Sequence, residues 1–317
     1  MTARLAVPRA QHATIREDAT MRVLVTGASG FIGGPSCAAL AARGHEVVAL
    51  VRRPGSEPAG TRAVAGDLTD GPGLVAAFAQ VAPDVVLHLA AETGAQRDEA
   101  KLRAANVSGL EHLIGACRAV DPPPRVVFVS TVVTGDGQGR LLTEDQPLPV
   151  ETAYGRSKQE GEQLLLASGL DVCIVRPCHV YGAGGWYAHE IVARLRQPGR
   201  LAIVGRGDNA WDMVHVDDLA AACALAVEQG RAGEIYHCAD DTPTTYREFV
   251  TRTAQALGVG RPRSIPVALA RLVAGDGPVR TVVRSGRTSN AKLKAELGWT
   301  PRFPDSRDGI PAVIAEL

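Results

Sequence analysis

The chain has 317 residues, 45% hydrophobic and 21% charged, the profile of an ordinary globular protein with ample material for a buried core. Its 34 Lys and Arg balance 34 Asp and Glu, so the cation surplus needed to neutralise phosphates is missing, which argues against a nucleic acid or a membrane as partner. Six scattered cysteines (Cys37, Cys117, Cys173, Cys178, Cys223, Cys238) form no CxxC pair and no zinc-spaced cluster, so no metal is expected and the thiols read as those of a reduced, cytoplasmic protein.

Residues 1–20 show no continuous apolar run and read as a disordered extension rather than a signal peptide. From Met21 the pattern sharpens. RVLVTG (22–27) is a buried-strand run ended by Gly, GASGFIGGPSCAALAARG (27–44) continues as a helix stopped by Gly44, and HEVVALVRR (45–53) is a second strand, which together make a βαβ unit. Further strands are predicted at 62–65, 84–90, 125–131 and 171–176, with helices at 70–80, 96–120 and 154–168 between them. Near-continuous Val, Ile and Leu runs indicate strands buried on both faces. The expected fold is α/β, a Rossmann-type doubly wound parallel sheet with its ligand crevice at the switch point. A helix at 217–230, capped by Asp217 or Asp218, and a strand at 234–239 extend it. The dinucleotide-binding domain is drawn as 21–176 plus 209–240. Residues 177–208 plus 241–317, too short for a second core, form a small, mostly helical C-terminal substrate lobe roofing the crevice.

Gly27-Ala28-Ser29-Gly30-Phe31-Ile32-Gly33 reads GxxGxxG between strand and helix. The glycines permit a tight turn and close backbone approach to a pyrophosphate, and the helix N-terminus supplies unpaired N–H groups. The end of the second strand selects the cofactor. An NAD site wants a carboxylate there, yet the chain offers Arg52 and Arg53, which suit the 2′-phosphate of NADP(H); NAD(H) stays possible. Asp67, followed by Leu68, ends the third strand and suits an adenine contact or a helix N-cap.

Tyr154-Gly155-Arg156-Ser157-Lys158 is YxxxK, which a helix presents on one face. Only four residues of the chain are lysines, so the match carries extra weight. A Lys ammonium beside a phenol favours the phenolate, lowers its pKa and readies it for proton transfer to or from a carbonyl oxygen. A hydroxyl at the end of the preceding strand, Ser130 or Thr131, would hold the reacting oxygen.

TGASGFIG, GDL, HLAA (88–91), NVSG (106–109), VST, YGRSK, RPxxVYG (176–182) and HVDD (215–218) follow the order seen in the extended short-chain dehydrogenase/reductases, and the chain resembles their epimerase/dehydratase group, which includes UDP-galactose 4-epimerase. The resemblance implies Tyr154 as acid/base and Lys158 holding the nicotinamide ribose. It implies Leu89, Ala90 and Ala91 along the dinucleotide, Asn106 ordering the active-site helix, and Pro177 with His179 near the nicotinamide. Counting down the strand from Phe128 puts the catalytic hydroxyl at Thr131; counting back from Gly135 puts it at Ser130. Strands keep register better than loops, so Thr131 is preferred and Ser130 held in reserve. A homodimer through helices 96–120 and 154–168 is also implied.

The departures bear on substrate. Trp211 replaces an Arg that meets phosphates in many sugar-nucleotide relatives, His179 stands where they often carry Asn, and Val132-Val133 replace the Asp-Glu pair of the dehydratases. Glu92, Thr93, Val132, His179, Trp186 and Trp211 are the candidate contacts to a small-molecule substrate, with Trp186 and Tyr187 as an aromatic wall and His179 in a position to titrate near neutrality. Arg280, Arg284 and Arg287 remain candidates for phosphate binding. An NADP(H)-dependent ketone reductase, or the reverse alcohol dehydrogenase, is expected. A redox-neutral nucleotide-sugar epimerase is the alternative, with a dehydratase or a non-enzymatic NADP sensor behind it.

Overall fold

The computed structural model describes residues 20–96, 98–197, 199 and 201–317; the expected disordered extension falls, but for Thr20, outside the described residues. The chain opens with β1 (Arg22–Thr26), α1 (Gly33–Ala42), β2 (Glu46–Val51), β3 (Arg62–Ala65), α2 (Gly71–Val81) and β4 (Val85–His88). The helix expected over 96–120 is broken into α3 (Glu99–Arg103), a π-helical turn (Ala104–Ser108) and α4 (Gly109–Arg118). Then come β5 (Arg125–Val129), β6 (Leu141–Leu142), α5 (Ala153–Leu166) and β7 (Val172–Pro177). The remainder comprises β8 (His179–Tyr181), a second π-helical turn (Tyr187–Val192), α6 (Ala193–Leu195), β9 (Ile203–Val204), β10 (Met213–His215), α7 (Val216–Gln229), β11 (Ile235–Cys238) and α8 (Tyr246–Ala256). It ends with β12 (Ser264–Ile265), α9 (Val267–Ala274), α10 (Asp276–Val283), β13 (Arg287–Thr288), α11 (Ala291–Leu297) and α12 (Ser306–Glu316).

Seven strands form one parallel sheet in the order β11-β7-β5-β4-β1-β2-β3, so the chain reverses direction across the sheet between β1 and β4. Strand side chains alternate between faces. Val23 and Val25 join one apolar layer with α1 and α7, while Leu24 joins the other with α2, α4 and α5. Both faces are thereby buried, as the unbroken apolar runs require.

Three expectations need correction. Neither Asp217 nor Asp218 caps α7: His215 does, its Nδ1 accepting from the Asp217 amide at 3.2 Å. Asp218 is buried instead and accepts from the Arg302 and Phe303 amides at 2.6 and 3.0 Å, pinning the C-terminal segment. The segment after α10 does not stay in the lobe, because Leu293, Leu297 and Trp299 enter the main core, where Trp299 Nε1 donates to the Asp218 carbonyl at 3.0 Å. The lobe nevertheless has an apolar cluster of its own, in which Tyr181, Tyr187, Trp211, Tyr246 and Phe249 meet largely edge to face.

Candidate active site

The glycine run turns from β1 into α1 at the switch point. Gly27 takes φ +69°, and a Cβ there would come 2.7 Å from the Ala90 amide nitrogen; at Gly33 it would come 2.2 Å from the Gly27 carbonyl oxygen. Only bare backbone fits. Ser29 and Gly30 are exposed, and α1 begins after Ile32 with no side-chain cap; the Gly33 and Gly34 amides are taken by the Gly30 carbonyl at 3.1 and 3.3 Å and Pro35 has none, so what an anion meets here is the loop backbone ahead of the helix and the helix's positive end. A dinucleotide pyrophosphate fits this cradle. Leu89, Ala90 and Ala91 form the facing wall, with the Ala90 amide held by Thr26 Oγ1 at 3.2 Å. Phe31 is differently employed: Cβ atoms at Gly182, Gly184 or Gly185 would come within 3.1 Å of its ring, so the ring docks the lobe's glycine loop onto the cradle.

At the end of β2, Arg52 and Arg53 are both exposed. Asp67 is not the N-cap of α2; Asp70 is, accepting from the Gly73 amide at 3.0 Å. Asp67 Oδ1 instead accepts from the Thr69 amide and hydroxyl, each at 2.8 Å, and these bonds, with the Arg52 charge behind them, hold its carboxyl below the usual carboxylate range. The Leu68 carbonyl is tied to His112 Nδ1 at 2.8 Å.

Thr152 caps α5, its Oγ1 accepting from the Gly155 amide at 2.9 Å, and so sets where the first turn begins. Tyr154 and Lys158 follow on one face. The loop after β4 joins this pair to the cradle: Gly94 lies against Tyr154, and Asn106, in the π-helical turn, grips Glu92. Asn106 Nδ2 donates to the Glu92 carbonyl at 2.9 Å and to Ser157 Oγ at 3.0 Å, while Oδ1 accepts from the Glu92 amide at 2.8 Å. Glu92 and Thr93 are exposed at this edge.

Lys158 is 3% exposed, and burial pulls its ammonium down to about 7, opposed by the Glu162 carboxylate one turn on. Glu162 is itself gripped in two-pronged fashion by Arg176, at 2.9 and 2.5 Å. The expected depression of the Tyr154 pKa does not appear among the protein groups: burial alone pushes the phenol up to about 12.

The two candidate hydroxyls differ. Thr131 Oγ1 accepts from the Val133 amide at 2.9 Å and donates to the Pro177 carbonyl at 3.3 Å, whereas buried Ser130 Oγ finds no partner among the described residues. Pro177 ends β7, and its carbonyl also receives the Val132 amide at 3.0 Å, which fixes this loop against that strand. Val132 is fully buried in the main core and is not a surface for substrate. Tyr187 is lobe core rather than a pocket wall, its hydroxyl 3.1 Å from Thr253 Oγ1. Trp186, half-buried, donates Nε1 to the Val180 carbonyl at 2.7 Å, and Trp211 is 3% exposed in the same cluster. His179 lies with its ring 4.4 Å from that of Trp211; burial, then the Arg284 charge, lower it to about 3, so it does not titrate near neutrality. Arg284 is buried and donates to the Gly135 carbonyl at 3.0 Å and the Val132 carbonyl at 3.4 Å; Arg280 pairs with Asp276, and Arg287 donates to the Gly139 carbonyl at 3.3 Å. These arginines hold protein groups where phosphate binding was expected.

Sequence reasoning missed Ser157, the Thr26–His88 pair, Phe128 beneath Lys158, and the Glu162–Arg176 bridge. The spacing of Glu162, four residues past Lys158, was the one signal that could have found the last.

Residues 23–239 match the model of the NAD dependent epimerase/dehydratase family. A 3-diazoavenalumate denitrifying reductase from a Streptomyces species is 34% identical over 92% of this chain and 99% of its own length. A 2-alkyl-3-oxoalkanoate reductase from Stenotrophomonas maltophilia is 33% identical over 76% of this chain and 77% of its own. Among solved structures, RMD from Pseudomonas aeruginosa complexed with NADPH superposes with a TM-score of 0.73 at 25% identity, covering 94% of this chain and 99% of that one. With the cradle, the YxxxK helix and the sheet order in place over the same span, the chain belongs to the NAD-dependent epimerase/dehydratase family of extended short-chain dehydrogenase/reductases.

Proposed function

We propose that the protein is an NADP(H)-dependent reductase acting on a ketone of a small metabolite. The observation that carries the cofactor choice is the exposed Arg52–Arg53 pair at the end of β2, where an NAD site needs a carboxylate. The relatives named as reductases support a net reduction. Against a nucleotide-sugar substrate stand Trp211 in place of the expected arginine and the commitment of Arg284 to the Val132 and Gly135 carbonyls.

A dinucleotide held by the glycine cradle, Arg52 and Arg53 would supply a hydride to the acceptor carbon. Tyr154 gives its phenolic proton to the acceptor oxygen as charge builds there. At about 12 the phenol stays protonated through the neutral range, as an acid must. Lys158, while charged, stabilises that oxygen and offers donors to the ribose. Thr131, oriented by the Val133 amide, exchanges its long bond to Pro177 for one to the same oxygen. The six free thiols and the use of an NADPH pool fit a cytoplasmic enzyme. A homodimer through α3–α4 and α5 completes the reading, and sedimentation as a monomer at micromolar concentration would remove that part.

The test is to denature the purified protein, identify any released dinucleotide by mass, and then measure NADPH and NADH oxidation against a panel of ketones. A diazo compound is assayed beside the panel because of the 34% identical relative. The expected result is no retained dinucleotide and NADPH turnover with a ketone. Stoichiometric retained NAD(H) would overturn it in favour of redox-neutral epimerisation.

A further inference from the structure

Helix α9 turns its apolar side outward. Leu269, Leu272 and Val273, at i, i+3 and i+4, share one face and are 47%, 84% and 79% exposed. An amphipathic surface helix normally buries such a stripe. Here α9 buries only Ala270 and its neighbour α10 only Val279; Val282 at the end of α10 packs against the lobe and its carbonyl accepts from Asn209 at 2.9 Å, while the three large side chains of α9 stay outside. Other exposed large apolar residues, such as Val75 and Leu166, lie singly on separate helices.

The charges along this stretch of the chain are one-sided. Between residues 261 and 283 the exposed ionisable residues are Arg261, Arg263, Arg271 and Arg280 against Asp276 alone. The chain as a whole carries no net charge, so this local excess is invisible to the composition argument against membranes. Arg271 and Arg280 share the single acid.

We propose that the α9–α10 hairpin is a docking surface for an anionic lipid bilayer, with Leu269, Leu272 and Val273 entering the interface and the arginines meeting the headgroups. Apolar side chains on one exposed helix face, within a stretch of net positive charge, match the boundary between headgroups and acyl chains of an anionic bilayer. A second copy of the chain in a symmetric contact would set the positive charge of this stretch against itself. Among the described residues no helix is long and apolar enough to cross a membrane, so the protein would lie on the surface. Nothing in this inference depends on the reductase chemistry proposed above.

The test is co-sedimentation of the intact protein with phosphatidylcholine vesicles, with and without phosphatidylglycerol. Salt-sensitive binding to the anionic vesicles is expected. Leu272→Asp with Val273→Asp should weaken it about tenfold or more, and Arg261→Glu with Arg263→Glu should weaken it on anionic vesicles alone. Val75→Asp, on α2, serves as control and should bind as the native protein does; circular dichroism checks that all variants are folded. Absence of binding to anionic vesicles overturns the proposal, as does undiminished binding by the folded α9 variant. Self-association that the α9 variant abolishes, without vesicle binding, overturns it in favour of a second copy.

Discussion

The Lys158 ammonium stands 4.0 Å from the centre of the Phe128 ring, on which His88 stacks at 5.6 Å, itself bonded through Nδ1 to Thr26 Oγ1 at 2.7 Å. Burial and the Lys158 charge lower His88 to about 3, so this column supports the ammonium without adding a second cation. A ring face beneath a desolvated ammonium is worth on the order of 0.5–2 kcal/mol.

That geometry predicts the pH profile. Lys158 sits near 7, below its ordinary value, so its charged form is present below pH 7 and is lost as pH rises through that point. The kcat/KM for reduction should fall above pH 7 in the native protein. In Phe128→Leu the fall should begin about half a unit to one unit lower, since one unit is 1.36 kcal/mol. A flat profile between pH 6 and 9, or an unmoved one in the variant, would show that the ring does not sustain the charge.

Tyr154→Phe should lower kcat by about 10²–10⁴-fold with little change in NADPH affinity, because only the transferable proton is removed. Lys158→Ala should damage both turnover and affinity. The hydroxyl is resolved by comparing Thr131→Val with Ser130→Ala: the first should cost more in kcat, since Thr131 Oγ1 is already oriented by the Val133 amide. Larger damage from Ser130→Ala would move the role to the hydroxyl that lacks a partner.

Arg52→Ala with Arg53→Ala should weaken NADPH far more than NADH. Charge-assisted bonds to a phosphate contribute about 1.5–3 kcal/mol each, which predicts at least a tenfold selective loss in a binding titration. Equal weakening of both dinucleotides would place these arginines in the solvent.

The sequence made the sheet legible because its strands are unbroken apolar runs buried on both faces, and the cradle legible because Gly27 and Gly33 leave no room for a side chain. What stayed hidden depends on contacts between distant segments. Tyr187, expected with Trp186 as an aromatic wall, and Trp211, expected as a substrate contact, become core once α8 brings Phe249 and Tyr246 against them. Arg284 looked available for phosphate until the fold set it beneath the loop that follows Thr131. The direction of the Tyr154 shift differs from the expectation because YxxxK spacing points to a lysine and says nothing of the burial that raises the phenol.

Asn106 offers the sharpest separation of positioning from chemistry. Its amide holds both backbone groups of Glu92 and the Ser157 hydroxyl, and Ser157 Oγ in turn donates to the Tyr154 carbonyl at 2.8 Å. One side chain therefore sets the spacing between the cradle-side loop and α5. Asn106→Ala leaves those groups without partners, at a cost of about 1–3 kcal/mol in stability. Asn106→Asp keeps the acceptor for the Glu92 amide and loses the donor to Ser157. If the amide acts by positioning Tyr154, kcat should fall in both variants while the pH at which the rate declines stays near 7, since Lys158 keeps its surroundings. A drop in melting temperature with kcat unchanged would reduce Asn106 to a structural role.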